Sequence, residues 1–303
     1  MKYLVFLCIL FIACNNEQKA DLTYDTSVAN PAYTTDHPKV LFDEAHNNFH
    51  TSDGRYKPFA NLIRNDGYIV EPNKKPFSKE TLTGYSILVI SNAKGKVEKY
   101  LSAFDDIECD AVRDWVEHGG SLFLIADHYP MGSAAQPLAQ RFGVQMNNGY
   151  VADSMNYEGN TKFKDQLVFS NTNQLLRPHP IVDGRNESER VHKVVVFTGQ
   201  ALKGPAEAQI LLELSSSAVE TVPDSIWKKD DVTYTRFPDP RPVQDGCMGL
   251  AMNFGKGRIV ILGEAACMTA QTDDTGKFGM NAPGNDDRQF ALNIMHWLSR
   301  KIE

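Results

Sequence analysis

Short runs of apolar residues recur along the chain, and the clearest of them end in polar side chains. Four such segments are KVLFDEAH (39–46), YSILVISNA (85–93), LFLIADH (122–128) and GRIVILGEAA (257–266). These runs are continuous rather than alternating, which is typical of strands buried on both faces of a parallel sheet. A shorter run, YIVEP (68–72), predicts another strand.

Segments with helical spacing lie between these runs. Acidic residues begin the segment 105–120 and Gly119 lies near its end, which favours a capped helix. The segment 132–143 also predicts a helix. The apolar positions expected on buried helical faces are Phe59, Leu62 and Ile63, then Ile107, Val112, Trp115 and Val116, and finally Phe290, Leu292, Ile294, Met295 and Leu298.

Alternation of strands and helices predicts one α/β domain over residues 38–303, with a mostly parallel sheet covered by helices. The pattern loosens at about residues 144–254, where HKVVVFTG and AQILLELS resemble strands. We therefore expect an irregular, β-rich insertion in that region. Residues 15–37 are polar and short of large aliphatic side chains, so they predict a flexible tether.

The first fourteen residues, MKYLVFLCILFIAC, resemble a bacterial lipoprotein signal that is cut before an acylated cysteine. One cation precedes an apolar stretch of about ten residues, which is too short to span a bilayer as a helix. The expectation is a signal at residues 1–14 with acylated Cys14, and a lipid-anchored protein of the bacterial cell envelope, at the outer membrane and facing either the periplasm or the surface. The alternative is a cleaved signal with an incidental cysteine.

Composition narrows the classes of partner. The net charge is −7 and no clustered run of basic residues occurs, which argues against nucleic-acid binding. After removal of the signal, the remaining thiols besides Cys14 are Cys109, Cys247 and Cys267. Three thiols cannot all pair with one another, and their spacing does not say whether one disulfide forms.

Polar residues that follow the predicted strands form the candidate site. The carboxyl ends of parallel strands share one edge of a sheet, where ligands bind in open α/β folds. We therefore expect one crevice lined by Asp43, His46, His50, Asn92, Asp127, His128 and Glu264. Taken singly, each of these side chains could instead be a helix cap or a surface loop residue.

Three chemistries remain open for this cluster. It could bind a divalent metal through His46, His50 and His128, orient sugar hydroxyls, or perform acid–base catalysis. The spacing HNNFH lacks the glutamate of zinc metalloprotease helices. No nucleophile elbow with serine or cysteine and no glycine-rich phosphate loop occurs, so nucleotide binding through such loops is not expected. The cofactor is left unassigned.

The order of the segments 39–68, 85–93, 118–128, 255–266 and 287–298 resembles a domain family of unknown function in the class I glutamine-amidotransferase-like superfamily. It is also similar to the amidotransferase-like domains of gliding-motility and intraflagellar-transport proteins. The resemblance implies a flavodoxin-like three-layer sandwich. Amidotransferases carry a cysteine where this chain has Asp127 and His128, so the resemblance transfers no glutaminase activity.

The resulting functional interpretation is an exported lipoprotein with an atypical amidotransferase-like domain that binds a polar small molecule, in particular a glycan fragment. The carbohydrate assignment comes from the resemblance, because related domains accompany glycoside hydrolases. Two alternatives remain: a hydrolase or lyase acting on carbohydrate, with or without a metal, and a protein–protein scaffold. The lipid is the only membrane contact expected.

Overall fold

The computed structural model describes residues 18–95, 102–159, 164–229, 232–274 and 276–303. The predicted signal and Cys14 lie outside the described residues. The helices are α1 (Lys57–Asn65), α2 (Lys79–Leu82), α3 (Asp106–Glu117), α4 (Met131–Gln140), α5 (Pro180–Asp183) and α6 (Asp287–Leu298), with short 3₁₀ turns at Glu187–Glu189 and Ala266–Met268.

The strands are short and numerous. In chain order they are β1 (Lys19–Ala20), β2 (Lys39–Asp43), β3 (Ile69–Asn73), β4 (Ile87–Ser91), β5 (Ser121–Ile125), β6 (Gln145–Met146), β7 (Tyr150–Asp153), β8 (Val168–Ser170), β9 (Lys193–Val195), β10 (Leu202–Lys203), β11 (Gln209–Glu213), β12 (Ala218–Thr221), β13 (Ser225–Lys229), β14 (Val232–Arg236), β15 (Arg241–Pro242), β16 (Cys247–Phe254), β17 (Gly257–Leu262), β18 (Ala270–Asp273) and β19 (Gly276–Gly279).

A nine-stranded mixed sheet organises the fold. Its strand order is β3-β2-β4-β5-β17-β16-β10-β6, and β11 also pairs with β16. The five strands from β3 to β17 are parallel, as the continuous apolar runs predicted, whereas β16, β10, β6 and β11 are antiparallel. Part of the predicted insertion therefore extends the main sheet, and the remaining strands form four small sheets.

Two apolar cores lie on opposite faces of the sheet. Successive residues of each parallel strand alternate between them, so that Phe42 joins one core and Leu41 the other. The first core contains apolar residues of α1 and α6, and the second contains those of α2, α3 and α4. Helices thus cover both faces, which explains why these strands are apolar at every position.

The face of α3 differs from the prediction at one position. Ile107 is 78% exposed, whereas Cys109, Val112 and Val116 are buried. These three residues are spaced by three and four positions, which places them on one helical stripe. Ile107 precedes Val112 by five residues, or about 140° around the helix, so it faces away from the sheet.

The described part of the predicted tether differs from a flexible segment. β1 pairs with β18 in antiparallel fashion, and Asp21 and Ala32 are buried. The Asp66 carboxylate accepts a hydrogen bond from the Ala32 backbone at 2.8 Å. Residues from Gln18 onward therefore pack against the domain.

The three remaining thiols, Cys109, Cys247 and Cys267, are all buried and unpaired. None of the helices within the described ranges is both long and apolar enough to cross a membrane.

Candidate functional site

A pocket of about 270 Å³ lies at the carboxyl edge of the parallel strands. Asn92, Asp127 and Glu264 follow β4, β5 and β17, whose parallel pairing brings their ends together. The pocket is lined by Gln18, Phe49, His50, Asn92, Asp127, His128, Tyr129, Pro130, Met131, Phe197, Ala266 and Gln271.

The structure separates the predicted site residues into two groups. His50, Asn92, Asp127 and His128 line the pocket, and Glu264 is buried two residues before the pocket residue Ala266. Asp43 and His46 are buried at the same edge but do not line this pocket.

Asp43 and His46 belong to a hydrogen-bonded network with Glu108. His46 Nδ1 lies 2.8 Å from Asp43 Oδ1, and its Nε2 lies 2.8 Å from Glu108 Oε1. The ring also packs against Phe77 and Phe104. Burial acts to lower the pKa of His46, but the two carboxylates outweigh burial and raise this pKa.

This network fixes the loop that carries His50 into the pocket. The Asp43 carboxylate also accepts hydrogen bonds from Asn48 Nδ2 at 2.9 Å and from the Ala45 backbone at 3.3 Å. Both residues belong to the loop between β2 and α1. Asp43 and His46 therefore position the site and do not contact a ligand in the pocket.

Asn92 connects three loops at the pocket. Its backbone is left-handed, with φ 46°. Its Oδ1 accepts a hydrogen bond from the Asp127 backbone at 2.9 Å, and its carbonyl accepts one from Phe49 at 2.9 Å. Asparagine tolerates this backbone conformation better than most residues do. Asn92 therefore fixes Asp127 relative to the loop that carries Phe49.

Asp127 and Glu264 form a pair of electrostatically coupled acids. Burial, followed by the negative charge of Asp127, raises the pKa of Glu264 to about 8. Burial also raises the pKa of Asp127, although the neighbouring His128 opposes this effect. The Asp127 side chain is still 17% exposed. Because two close carboxyls do not both ionise readily, the pair retains a proton near neutral pH.

His128 presents one ring nitrogen without an assigned protein partner. Its Nδ1 lies 2.8 Å from the Tyr129 carbonyl oxygen, which can only accept, so Nδ1 carries the proton. Nε2 is then an acceptor in the neutral ring, and it lies 4.0 Å from Asp127 Oδ1. The imidazole stacks on Tyr150 with a centroid separation of 4.3 Å. His128 can therefore accept a proton or a hydrogen bond from a ligand.

His50 is a neutral histidine on the opposite side of Asn92 in the chain. Burial, followed by the charges of Arg55 and Lys94, lowers its pKa to about 3. Its Nδ1 lies 2.9 Å from Ser91 Oγ, and its ring stacks on Tyr56 at 4.5 Å. These contacts fix the ring, and they leave Nε2 as the nitrogen for polar contact with a ligand.

The structure does not assemble the three histidines considered as metal ligands. His46 has both ring nitrogens within hydrogen-bond distance of carboxylates, whereas His50 and His128 line the pocket. Within the described ranges, no cluster of three or more His, Cys, Asp or Glu side chains is arranged to hold a metal ion.

Two glutamines complete the site, and sequence reasoning did not identify either of them. Gln200 Nε2 donates to the carbonyls of Ala126 and Asp127 at 2.8 and 2.9 Å, which fixes the exit of β5. Gln271 lines the pocket, is 1% exposed, and its Oε1 has no hydrogen-bond partner among the described residues. Gln200 follows the apolar run HKVVVFTG, which was a usable signal, whereas no apolar run points to Gln271.

No protein-family model matches the chain, and no curated protein matches it either. Among solved structures, the mmIFT52 N-terminal domain is similar, with a TM-score of 0.58, 15% identity, and coverage of 86% of this chain and 97% of that domain. A ThuA-like protein from Bacteroides uniformis gives a TM-score of 0.48 at 13% identity, covering 91% of this chain and 95% of that one. A GMP synthase-like protein from Thermoplasma acidophilum gives 0.43 at 10% identity, covering 88% and 96%. The similarity to the mmIFT52 domain shows a shared fold and nothing about the site.

Proposed function

We propose that this chain is a lipid-anchored protein of the bacterial cell envelope whose pocket binds a polar small molecule, a glycan fragment. We also propose that its fold is the flavodoxin-like three-layer sandwich of the amidotransferase-like superfamily. Helices on both faces of the sheet and the similarity to the mmIFT52 domain support the fold assignment. The signal pattern that ends at Cys14 supports the anchor.

The observation that carries the binding proposal is the unused hydrogen-bonding capacity at the pocket. Gln271 Oε1 has no partner among the described residues, and buried polar atoms in proteins are nearly always paired. The Asp127 carboxylate and His128 Nε2 add acceptors beside it. Sugar hydroxyls are donors that would satisfy all three groups.

The remaining walls and the size of the pocket favour a sugar ring. Phe49, Tyr129 and Phe197 contribute aromatic rings, which offer apolar faces to the C–H side of a sugar. The volume of about 270 Å³ is just below the usual range of about 300–1,000 Å³ for small-molecule sites. One sugar ring therefore fits this pocket better than a long chain does.

Titration calorimetry with a panel of neutral and acidic monosaccharides tests this function. At least one sugar should bind the wild-type protein. The double variant Asp127→Asn and His128→Ala should lose this binding, and so should Gln271→Leu, because each removes acceptors at the pocket. Asp114→Asn changes an exposed acid on α3 and is the matched control. Binding that survives both pocket variants would refute the assignment.

A second function, hydrolysis or elimination on a sugar, is favoured by the paired acids. An acid whose pKa is near 8 still holds a proton at neutral pH, as a general acid requires. In this reading the exposed Asp127 contacts the substrate, and Glu264 acts through it. Release of 4-nitrophenol from a panel of aryl glycosides should then occur and should be lost in Asp127→Asn. Sugar binding without turnover of any glycoside would leave the binding function alone.

Glutaminase chemistry is not part of the proposal. Cys267 is the thiol nearest in sequence to the pocket residue Ala266, but it is 1% exposed. Burial, followed by the negative charge of Glu264, raises the pKa of Cys267. Because the thiolate is the attacking species in such enzymes, this thiol is unsuited to the reaction.

A further inference from the structure

The amino-terminal strand forms part of the pocket wall. Ala20 in β1 pairs with Gln271 in β18, and Gln18 lines the pocket directly. The Asp21 carboxylate accepts a hydrogen bond from Asn281 Nδ2 at 2.9 Å, which holds this strand in place. The chain therefore reaches the pocket as soon as the described residues begin.

The distance from the proposed acylation site to the pocket is limited by covalent geometry. Four residues separate Cys14 from Gln18, and four fully extended residues span at most about 14 Å. This limit holds for any conformation of the intervening residues. An acyl chain on Cys14 would therefore keep the pocket close to the bilayer surface.

Exposed apolar side chains are concentrated around the same pocket. Thr235 Oγ1 in the hairpin β13–β14 lies 3.3 Å from Tyr129 Oη, and the Phe237 ring contacts the rings of Tyr129 and Tyr150. Phe49 of the pocket wall is 39% exposed. Half of the large apolar residues that are exposed in the described chain belong to this region, namely Phe49, Ile226, Trp227, Tyr234 and Phe237.

These side chains suit a membrane interface. Tryptophan and tyrosine are enriched where proteins meet lipid headgroups, because one end of each ring is apolar and the other is polar. Trp227 and Tyr234 stack on one another with centroids 5.6 Å apart. Cations also lie at the mouth of the pocket, with Lys94 Nζ 4.8 Å from the centroid of the Phe49 ring. Such cations attract anionic headgroups.

We propose that the pocket opens onto the membrane surface and takes its sugar as the headgroup of a membrane lipid. The inference rests on the proposed acylation of Cys14 and deepens the proposed glycan binding. The lipid anchor limits the distance, and the aromatic hairpin provides the surface that faces the bilayer. A freely diffusing sugar is the alternative source of the same chemistry.

Coupling to a reactive lipid headgroup tests this orientation. The acylated full-length protein is reconstituted into phosphatidylethanolamine–phosphatidylglycerol vesicles that contain a maleimide-headgroup lipid. Met131→Cys places a thiol at the pocket, and Asp114→Cys places one on the distal half of α3, near the start of β5 at the opposite edge of the sheet. Wild-type protein gives the background, because Cys109, Cys247 and Cys267 are buried.

We expect Met131→Cys to couple to the lipid many times faster than Asp114→Cys. Equal rates, or faster coupling of Asp114→Cys, would overturn the proposal. Vesicles with brominated acyl chains supply a second readout, in which Trp227 emission should be quenched. The Trp227→Phe variant, which keeps Trp115 and Trp297, should show no comparable quenching. Equal quenching of the two proteins counts against the proposal.

The source of the sugar is decided by comparing two forms of one probe. Vesicles that contain monoglucosyl diacylglycerol should protect Met131→Cys from a water-soluble maleimide better than methyl glucoside does at the same concentration. Stronger protection by the soluble glucoside would overturn the membrane source. A protein that does not float with vesicles would refute the anchor and this inference together, whereas calorimetry with soluble sugars would still decide the proposed binding function.

Discussion

Two acid–histidine pairs at the same edge of the sheet differ in how fully their polar atoms are bonded. Asp43 and His46 follow β2, and every hydrogen-bonding atom of the His46 ring has a carboxylate partner. Asp127 and His128 follow β5, and there the carboxylate is partly exposed while His128 Nε2 has no hydrogen-bond partner among the described residues. The first pair is closed and the second is open.

The difference shows how one sequence pattern serves two purposes. Both pairs arise from an apolar strand that ends in an acid followed within three residues by a histidine. Glu108 at the start of α3 closes the first pair, because its carboxylate reaches His46 from the far side. No corresponding side chain reaches His128 within the described chain. Polar groups with unused capacity mark the binding site, and fully paired groups mark the scaffold.

The closed pair should be the more costly one to break. Asp43→Ala removes a buried acceptor of several hydrogen bonds and leaves His46, whose pKa is raised, with one carboxylate. We expect the free energy of unfolding to fall by about 3–5 kcal/mol, as for other broken buried ion pairs. Guanidinium denaturation measures the change. Asp114→Ala on the exposed face of α3 should change stability by less than about 0.5 kcal/mol. A loss below about 1 kcal/mol for Asp43→Ala would contradict the closed-pair assignment.

The open pair should appear in the pH dependence of stability. Burial and the charge of Asp127 raise the pKa of Glu264 from 4.5 to about 8, so the folded state holds this proton more tightly than the unfolded state. Its contribution is fully present below pH 4.5 and is lost as the pH rises toward 8, a loss of about 3 kcal/mol.

Glu264→Gln tests this dependence. The amide cannot accept from both the Ala266 and Cys267 backbone N–H groups, so absolute stability should fall. The decline of stability between pH 5 and pH 8 should nevertheless flatten. Denaturation curves at a series of pH values measure the slope, and an unchanged slope would show that Glu264 is not its source.

Asn92 links the open pair to the scaffold, and its two roles can be separated. Asn92→Ala loses the hydrogen bond to the Asp127 backbone and also strains the left-handed backbone, which should cost about 2 kcal/mol. Asn92→Gly loses only the hydrogen bond, so it should cost about 1 kcal/mol. Thermal or chemical unfolding should therefore rank glycine above alanine at this position. The reverse order would contradict the backbone argument.

The smallest effect on stability is expected at the open acid itself. Asp127→Asn keeps the oxygen that accepts from the His128 backbone at 2.7 Å, so stability near pH 5 should change by less than about 0.5 kcal/mol. Loss of the Asp127 charge should lower the pKa of Glu264, and this moves the pH-dependent decline to lower pH. A large loss of stability at all pH values would make Asp127 a structural residue like Asp43.

Much of the fold followed from local pattern. The five parallel strands, α1, α3, α4 and α6 lie within the segments that their apolar runs predicted. Position 107 was wrong because a helix of twelve residues presents a narrow stripe, and Ile107 lies outside it. The region 144–254 was poorly predicted because its strands are short and pair with partners distant in sequence, such as β10 with β16 and β6.

The sequence by itself determined which residues stand at the carboxyl ends of the parallel strands. Strand order and direction follow from periodic burial, and the residue after each strand must then lie at the shared edge. The sequence thus predicted a cluster that contains Asn92, Asp127 and His128. It did not determine which polar groups would be paired with one another.

Only the tertiary structure decided that division. Glu108 reaches His46 across 62 residues of sequence, and Gln200 reaches Asp127 across 73. Gln271 arrives at the pocket on β18 beside the amino-terminal strand. Hydrogen bonds depend on distances of about 3 Å, which no sequence spacing fixes between separate elements. Whether an acid beside a histidine binds a ligand or holds a loop therefore depends on the third group that the fold brings to it.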